Sequence, residues 1–205
     1  APDAIVHLLG RAAFGPSPRD LAEARSLGAA AWIERQLAYE TIDAGAVEGP
    51  LAAGLPGLAM NLNDLSQAQP QGFRIPDAWI AATFYRQVFS PRQLYEVMVD
   101  FWSDHFNIYQ PMEDHDLLKV VDDREVIRAH ALGRFKDLLT ASARSAAMLH
   151  YLDNDESSKD QPNENYAREI MELHTLGVAV DGQPYTERDV QELARCFTGW
   201  TWNRT

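Results

Sequence analysis

The chain has 205 residues, of which 46% are hydrophobic and 23% are charged, as in an ordinary globular protein. Its 18 basic and 30 acidic residues give a net charge of −12, which repels a phosphate backbone or an anionic lipid surface and argues against nucleic acid as a partner. No run of 18 apolar residues occurs, so the sequence predicts no transmembrane segment, and any membrane association would be peripheral, through a partner.

Helix signals dominate the first part of the chain. Ile5, Leu8 and Leu9 predict a short apolar helix that ends at Gly15. The run Ser17-Pro18-Arg19-Asp20 predicts the start of another, with a capping serine, a first-turn proline and an acid at the third position. Residues 1–40 are therefore predicted to form an N-terminal helical segment.

Residues 41–75 have a different composition, rich in Gly, Ala, Pro, Asn and Gln, without a sustained hydrophobic period. Such a composition predicts an extended loop excursion between the N-terminal segment and the rest of the chain. A loop of this length is expected to be either a binding element or a clamp around a neighbouring protein.

Residues 76–205 are predicted to form the main helical bundle. Gly177 and Gly199 are placed as C-terminal stops, and no strand pattern is present. The predicted fold is all-α, an irregular bundle of about seven to nine mostly antiparallel helices with one long loop excursion, and the three segments together form one domain. Helices are expected near residues 76–89, 91–108, 124–132, 134–150, 163–176 and 186–198.

Two histidines on these predicted helices are candidates for chemistry. His105 falls on the same stripe as Leu94 and Phe101, within about 60 degrees at 100 degrees per residue. His130 lines up with Val126 on its own helix. A core histidine that is hydrogen-bonded to a carbonyl or a carboxylate is the commoner arrangement, and a ligand or acid–base role is the alternative.

The segment Pro162–Gly177 concentrates polar side chains on one short helix. Glu164, Arg168 and Glu172 are spaced at i, i+4 and i+8, which predicts an ion-pair ladder. Glu169 lies close to the apolar face of the same helix, so it is the carboxylate expected inside the protein.

A bound metal is the alternative use of these polar side chains. Glu169 and His174 are five residues apart, about 140 degrees around a helix, so one ion could not easily take both. A metal site would combine Glu169 or Glu172 with His105 or His130 from other helices. The sequence identifies no cofactor beyond this hypothesis.

The C-terminal segment contains three further residues of interest. Cys196 is expected to be a small buried hydrophobe, and as the single cysteine it excludes an internal disulfide bond. Trp200 and Trp202 would need something to cover them in a core role, so they are predicted to be interaction residues. Binding of a carbohydrate or a peptide by the tryptophans is a further alternative.

Five motifs occur in order along the chain: His7–Gly15, Phe101–Phe106, His130–Phe135, Pro162–Gly177 and Tyr185–Trp200. Together they resemble the bacterial family known as domain of unknown function 1800. The resemblance implies a helical, often exported protein, commonly made with a cleaved signal peptide, and hence a periplasmic or extracellular location. It supplies no catalytic residues. Family domains usually continue past the last motif, so the chain resembles an N-terminal half.

Two functions from different classes follow from these expectations. The first is an extracytoplasmic accessory or assembly subunit, non-catalytic, which binds and stabilises a larger protein complex through residues 41–75 and the tryptophans. The alternative is a metal-dependent enzyme, hydrolytic or oxidative, with a carboxylate and histidine site inside the bundle. A carboxylate paired to an arginine would favour the first, and one facing a histidine in a cavity would favour the second.

Overall fold

A computed structural model of the chain describes residues 3–67, 75–109, 116–178 and 185–202. These residues form helices, turns and loops without a strand, which confirms the prediction of an all-α fold. The chain divides into two compact units, residues 1–101 and 102–205. The boundary expected between residues 75 and 76 falls inside the first unit, because helices on both sides of it share one core.

The described residues contain twelve α-helices, and two of these helices have only six residues each. They are α1 (Ala4–Ala12), α2 (Pro18–Leu27), α3 (Ala29–Leu37), α4 (Gly45–Gly54), α5 (Leu62–Gln67), α6 (Ile75–Phe89), α7 (Gln93–His105), α8 (Asp116–Asp122), α9 (Phe135–Ala143), α10 (Ala146–Tyr151), α11 (Asn165–Glu172) and α12 (Glu187–Phe197).

Local capping determines where the first helices begin. The Asp3 carboxylate accepts a hydrogen bond from the Ile5 N–H at 2.9 Å, and the Ser17 hydroxyl accepts one from the Asp20 N–H at 3.1 Å. Helices α1 to α3 then pack around Trp32, which is fully buried. These three helices lie within residues 1–40, the range that the sequence predicted to be helical.

The prediction of an extended loop over residues 41–75 is wrong for most of that segment. Helices α4 and α5 occupy much of it, with 3₁₀ turns at Tyr39–Thr41 and Pro56–Ala59, while residues 68–74 lie outside the described part. Val47 and Leu51 of α4 are buried against Ala82 of α6. Burial of these side chains outweighs the poor helix propensity of the Gly- and Pro-containing sequence.

In the second unit, α8 continues directly into a π-helical turn at Asp123–Arg128. Helix α11 is shorter than predicted, ending at Glu172, and it packs against α12. The N–H of Thr186 donates to Asp189 Oδ2 at 2.7 Å at the start of α12, and Gly199 follows its end with φ of 83°. The first is a helix cap, and Gly199 ends the helix as the sequence predicts.

Two further observations bear on the expectations from sequence. No helix within the described residues is long and apolar enough to cross a membrane. Cys196 is exposed on α12, so the expectation that it is buried is wrong. The side chains of Ala194 and Phe197 on the same helix are the buried ones, because the apolar face of α12 runs through them instead.

Candidate functional site

The polar side chains of α11 form the predicted ion-pair ladder. Arg168 donates to Glu164 Oε2 at 3.3 Å and lies 3.7 Å from Glu172 Oε1. The sequence did not indicate a third partner, Glu187 of α12, which accepts from Arg168 Nη1 at 2.9 Å. This hydrogen bond lowers the pKa of Glu187 and raises that of Arg168. The ladder therefore links α11 to α12.

We expect replacement of Arg168 by methionine to lower the free energy of unfolding by less than about 1 kcal/mol, since partly exposed ion pairs stabilise weakly. Urea unfolding of both proteins measures this difference. Arg195→Met is the matched control, because among the described residues Arg195 pairs along its own helix, with Glu192. A loss well above that of the control, on the order of 3 kcal/mol, would show that the ladder has a buried component.

Glu169 is the one carboxylate of this segment without an ion pair. Its side chain is half-buried, and no basic side chain among the described residues bonds its carboxylate. Burial raises the pKa of Glu169, and the neighbouring Glu172 raises it further. Its backbone carbonyl accepts hydrogen bonds from the N–H groups of Leu173 and His174, where α11 ends. That Glu169 is the carboxylate of α11 expected inside the protein remains a prediction, and the structure places its side chain at intermediate burial.

His105 contacts the chain just after α11. Its Nε2 lies 3.0 Å from the carbonyl oxygen of His174, so a proton on Nε2 is donated there. A hydrogen bond of this kind is the commoner arrangement for a histidine on an apolar stripe. Aromatic rings surround the pair, since the Trp102 ring lies 5.5 Å from that of His105 and the Phe106 ring 5.0 Å from that of His174.

His174 is the histidine that the structure makes unusual. Its side chain is 5% exposed, and its Nδ1 atom has no hydrogen-bond partner among the described residues. Burial lowers the pKa of His174 to about 4, and the charge of His105 contributes in the same direction. His174 is therefore neutral at pH 7. Helix α11 ends at Glu172, before this residue, so the helical angle of about 140 degrees predicted between Glu169 and His174 does not apply.

The described residues do not form the predicted metal site. No group of three His, Cys, Asp or Glu side chains among them is placed to hold an ion, so Glu169, Glu172 and His105 do not form one there. Glu172 faces Arg168, and His130 Nδ1 lies 2.8 Å from the carbonyl of Val126 on its own turn. Both side chains therefore make contacts within the protein.

The two C-terminal tryptophans are held by the chain itself. The Trp202 Nε1–H donates to Asp155 Oδ2 at 3.1 Å. Asn154 donates from Nδ2 to the Trp200 carbonyl at 3.0 Å, and the Trp200 ring lies edge-on to Phe197. Trp200 is still 39% exposed. A role for Trp200 and Trp202 in interaction with a partner remains a prediction.

A buried charged pair in the second unit was not found from the sequence. Lys119 Nζ lies 3.5 Å from Asp122 Oδ2, and both side chains are almost fully buried. The Ser145 hydroxyl donates to Asp122 Oδ1 at 2.6 Å. One residue further along, Arg128 Nε donates to Asp123 Oδ2 at 3.0 Å across the π-helical turn. The i, i+3 spacing of Lys119 and Asp122 inside an apolar run is the signal that could have revealed the pair.

Burial raises the pKa of Asp122, whereas the charge of Lys119 and the hydrogen bond from Ser145 oppose that rise. Burial also raises the pKa of Tyr166, with the charge of Asp122 as the second cause. With about 2% and 3% of their surfaces exposed, Lys119 and Asp122 are out of reach of a dissolved substrate. We assign the pair to the stability of the fold, as buried ion pairs need a partner to be tolerated.

The outer face of α6, formed by Ile80, Ala81, Phe84 and Val88, is the second feature that the sequence did not reveal. Ile80, Phe84 and Val88 are 36%, 63% and 60% exposed. The opposite face of the helix is apolar too, with Ala82 packed against α4. Helix α6 is therefore apolar on both its buried side and its exposed side.

Comparison with known proteins gives one match. The family model described as a protein of unknown function (DUF1800) matches residues 7–205, which is nearly the whole chain. No curated protein matches the sequence. No solved structure matches it either.

Proposed function

The chain belongs to the DUF1800 family, and we propose that it is a non-catalytic helical accessory subunit that binds a larger protein complex through the outer face of α6. The proposal places the protein outside the cytoplasm, in the periplasm or the extracellular space, which is where exported members of the family would act. The proposed interface is therefore α6, and not the loop that the sequence predicted over residues 41–75.

The observation that carries the proposal is the apolar character of α6 on both sides. A surface helix ordinarily has an apolar side toward the core and a polar side toward water, whereas α6 turns a row of apolar side chains toward water. Phe84 and Val88 are more than half exposed in the middle and at the end of α6. Covering a side chain of this kind gains about 1.5–3 kcal/mol, so a partner that buries both gains substantial affinity.

The candidate polar residues support the same proposal. Arg168 is bound by three glutamates, and His105 and His130 bond backbone carbonyls. Ion pairs and hydrogen bonds of this kind stabilise helix ends and helix pairs. Apart from Glu169, the charged side chains of α11, which the enzyme hypothesis would explain by catalysis, are thus accounted for by contacts within the second unit.

The test is the native mass of the protein released gently from its source cells, with all associated chains identified. We expect the wild type to run in an assembly well above its own 23.0 kDa. Phe84→Ser should weaken that association by about tenfold or more, as expected for a central apolar contact. Its free energy of unfolding should change little, because Phe84 is 63% exposed.

Leu37→Ser is the matched control, since Leu37 is 51% exposed on α3 in the same unit. This variant should stay in the assembly. A wild type that runs alone near 23.0 kDa would refute the subunit proposal. An assembly that survives Phe84→Ser together with Val88→Ser would show that a different surface is the interface.

A further inference from the structure

We infer that the partner element covering the outer face of α6 is an amphipathic α-helix whose apolar side is flanked by lysine or arginine. The inference rests on the proposed function and specifies the chemistry of the partner. Three observations lead to it: the spacing of the exposed apolar side chains, the completeness of the α6 backbone, and the charges around the face.

The exposed apolar side chains form a ridge along the helix. Ile80, Phe84 and Val88 are spaced at i, i+4 and i+8, and the row is about 12 Å long at 1.5 Å per residue. Rows with this spacing pack into the grooves between the rows of a second helix. Ala81 lies beside the row, and its small side chain leaves room next to Phe84 for a knob of the partner.

A partner strand is a poor fit to the same face. Strand addition requires an open sheet edge with unpaired backbone N–H and C=O groups. The middle of an α-helix has its backbone groups bonded along the helix and presents only side chains. The outer face of α6 therefore favours an occupant that also interacts through side chains, and the spacing of its apolar row suits a second helix.

Acidic side chains mark both ends of the face. Asp77 is exposed one turn before Ile80. At the other end, Asp100 is exposed, and its Oδ1 accepts a hydrogen bond from Gln87 Nε2 at 3.0 Å. Complementary charge on a partner, placed at the rim of an apolar contact, sets orientation and speeds association.

Two basic side chains near α6 in the part of the chain that the structure describes are paired. Arg86 donates to both carboxylate oxygens of Glu48, at 2.9 and 2.8 Å. Arg19 donates to the Phe89 carbonyl at 2.9 Å at the end of α6 and pairs with Asp20. With a net charge of −12 on the chain, the face attracts a basic rim and disfavours a second copy of this protein.

The experiment uses the full chain and two synthetic helical peptides of about 18 residues, long enough for five turns. Both peptides have one leucine face, and the flanking positions are lysine in one and glutamate in the other. Binding is followed by fluorescence anisotropy at low salt. We expect the lysine peptide to bind about tenfold or more tightly than the glutamate peptide, a difference of about 1.4 kcal/mol.

Phe84→Ser should weaken binding of the lysine peptide by about tenfold or more, and Leu37→Ser should leave it unchanged. Asp77→Lys should reduce the preference for lysine over glutamate flanks. Equal binding of the two peptides, or binding that ignores Phe84→Ser, would overturn the inference. So would a stable dimer of the wild-type chain that Phe84→Ser dissociates, because the occupant would then be a second copy.

The two experiments distinguish a wrong partner type from a wrong subunit proposal. If the native assembly depends on Phe84 but neither peptide binds through α6, the protein is a subunit whose partner is of another kind. If the wild-type protein runs alone from its source cells, the subunit proposal itself is wrong, whatever the peptides do.

Discussion

Replacing Asp122 with alanine is expected to lower the free energy of unfolding by about 3–5 kcal/mol, because it leaves the Lys119 ammonium buried without its carboxylate. The Ser145 hydroxyl, which donates to Asp122 Oδ1 at 2.6 Å, loses its acceptor as well. Few single substitutions reach this size in a protein of ordinary stability. Urea unfolding of the wild type and the variant measures the difference directly.

The double variant Lys119→Met with Asp122→Leu provides the sharper comparison. Apolar side chains of similar volume can replace a buried ion pair at little cost, so the double variant should be much more stable than Asp122→Ala. Asp137→Ala serves as the control, since Asp137 pairs with the exposed Arg134 and its loss should be minor. If Asp122→Ala unfolds at the same urea concentration as the control, the pair does not stabilise the fold.

The second large effect concerns pH and His174. Because the pKa of His174 is about 4 in the folded protein and 6.5 ordinarily, the unfolded chain binds the proton more tightly. Stability is therefore complete above about pH 6.5 and is lost as the pH falls toward 4. The difference corresponds to about 3 kcal/mol. His174→Gln, which cannot take up this proton, should show a correspondingly shallower loss of stability between pH 7 and pH 4.

The measurement is a series of urea unfolding curves at several pH values for the wild type and for His174→Gln. Comparing the slopes with pH removes any constant effect of the substitution. His7→Gln is the control, because His7 is exposed on α1. Identical slopes for the wild type and His174→Gln would mean that His174 is not buried in a neutral form, and the packing around Phe106 would then have to be reconsidered.

Much of the fold could be predicted because local sequence determines where helices begin and end. The serine and proline at Ser17 and Pro18, and the pairing of Thr186 with Asp189, act through bonds within one turn. Such bonds form in the same way whatever the rest of the chain does. The exception was α4, where burial of Val47 and Leu51 decides the conformation. That burial depends on α6, about 30 residues further along.

The candidate site could be predicted only where its contacts are local. Glu164, which is the N-cap residue of α11, lies on the same face as Arg168 and Glu172 by spacing alone, and the ladder follows from that spacing. The contact of His105 with the carbonyl of His174 joins residues 69 positions apart, and Glu187 reaches Arg168 from the next helix. No periodicity in the sequence specifies which distant groups meet.

The sequence by itself determined the all-α class, the helix caps and the polar character of α11, because each depends on interactions within a few residues. The tertiary structure alone decided that Lys119 and Asp122 are buried together and that Phe84 is left exposed. Whether a side chain is buried depends on all the elements that surround it. The sequence of an apolar helix is therefore the same whether its own chain buries it or it stays exposed to a partner.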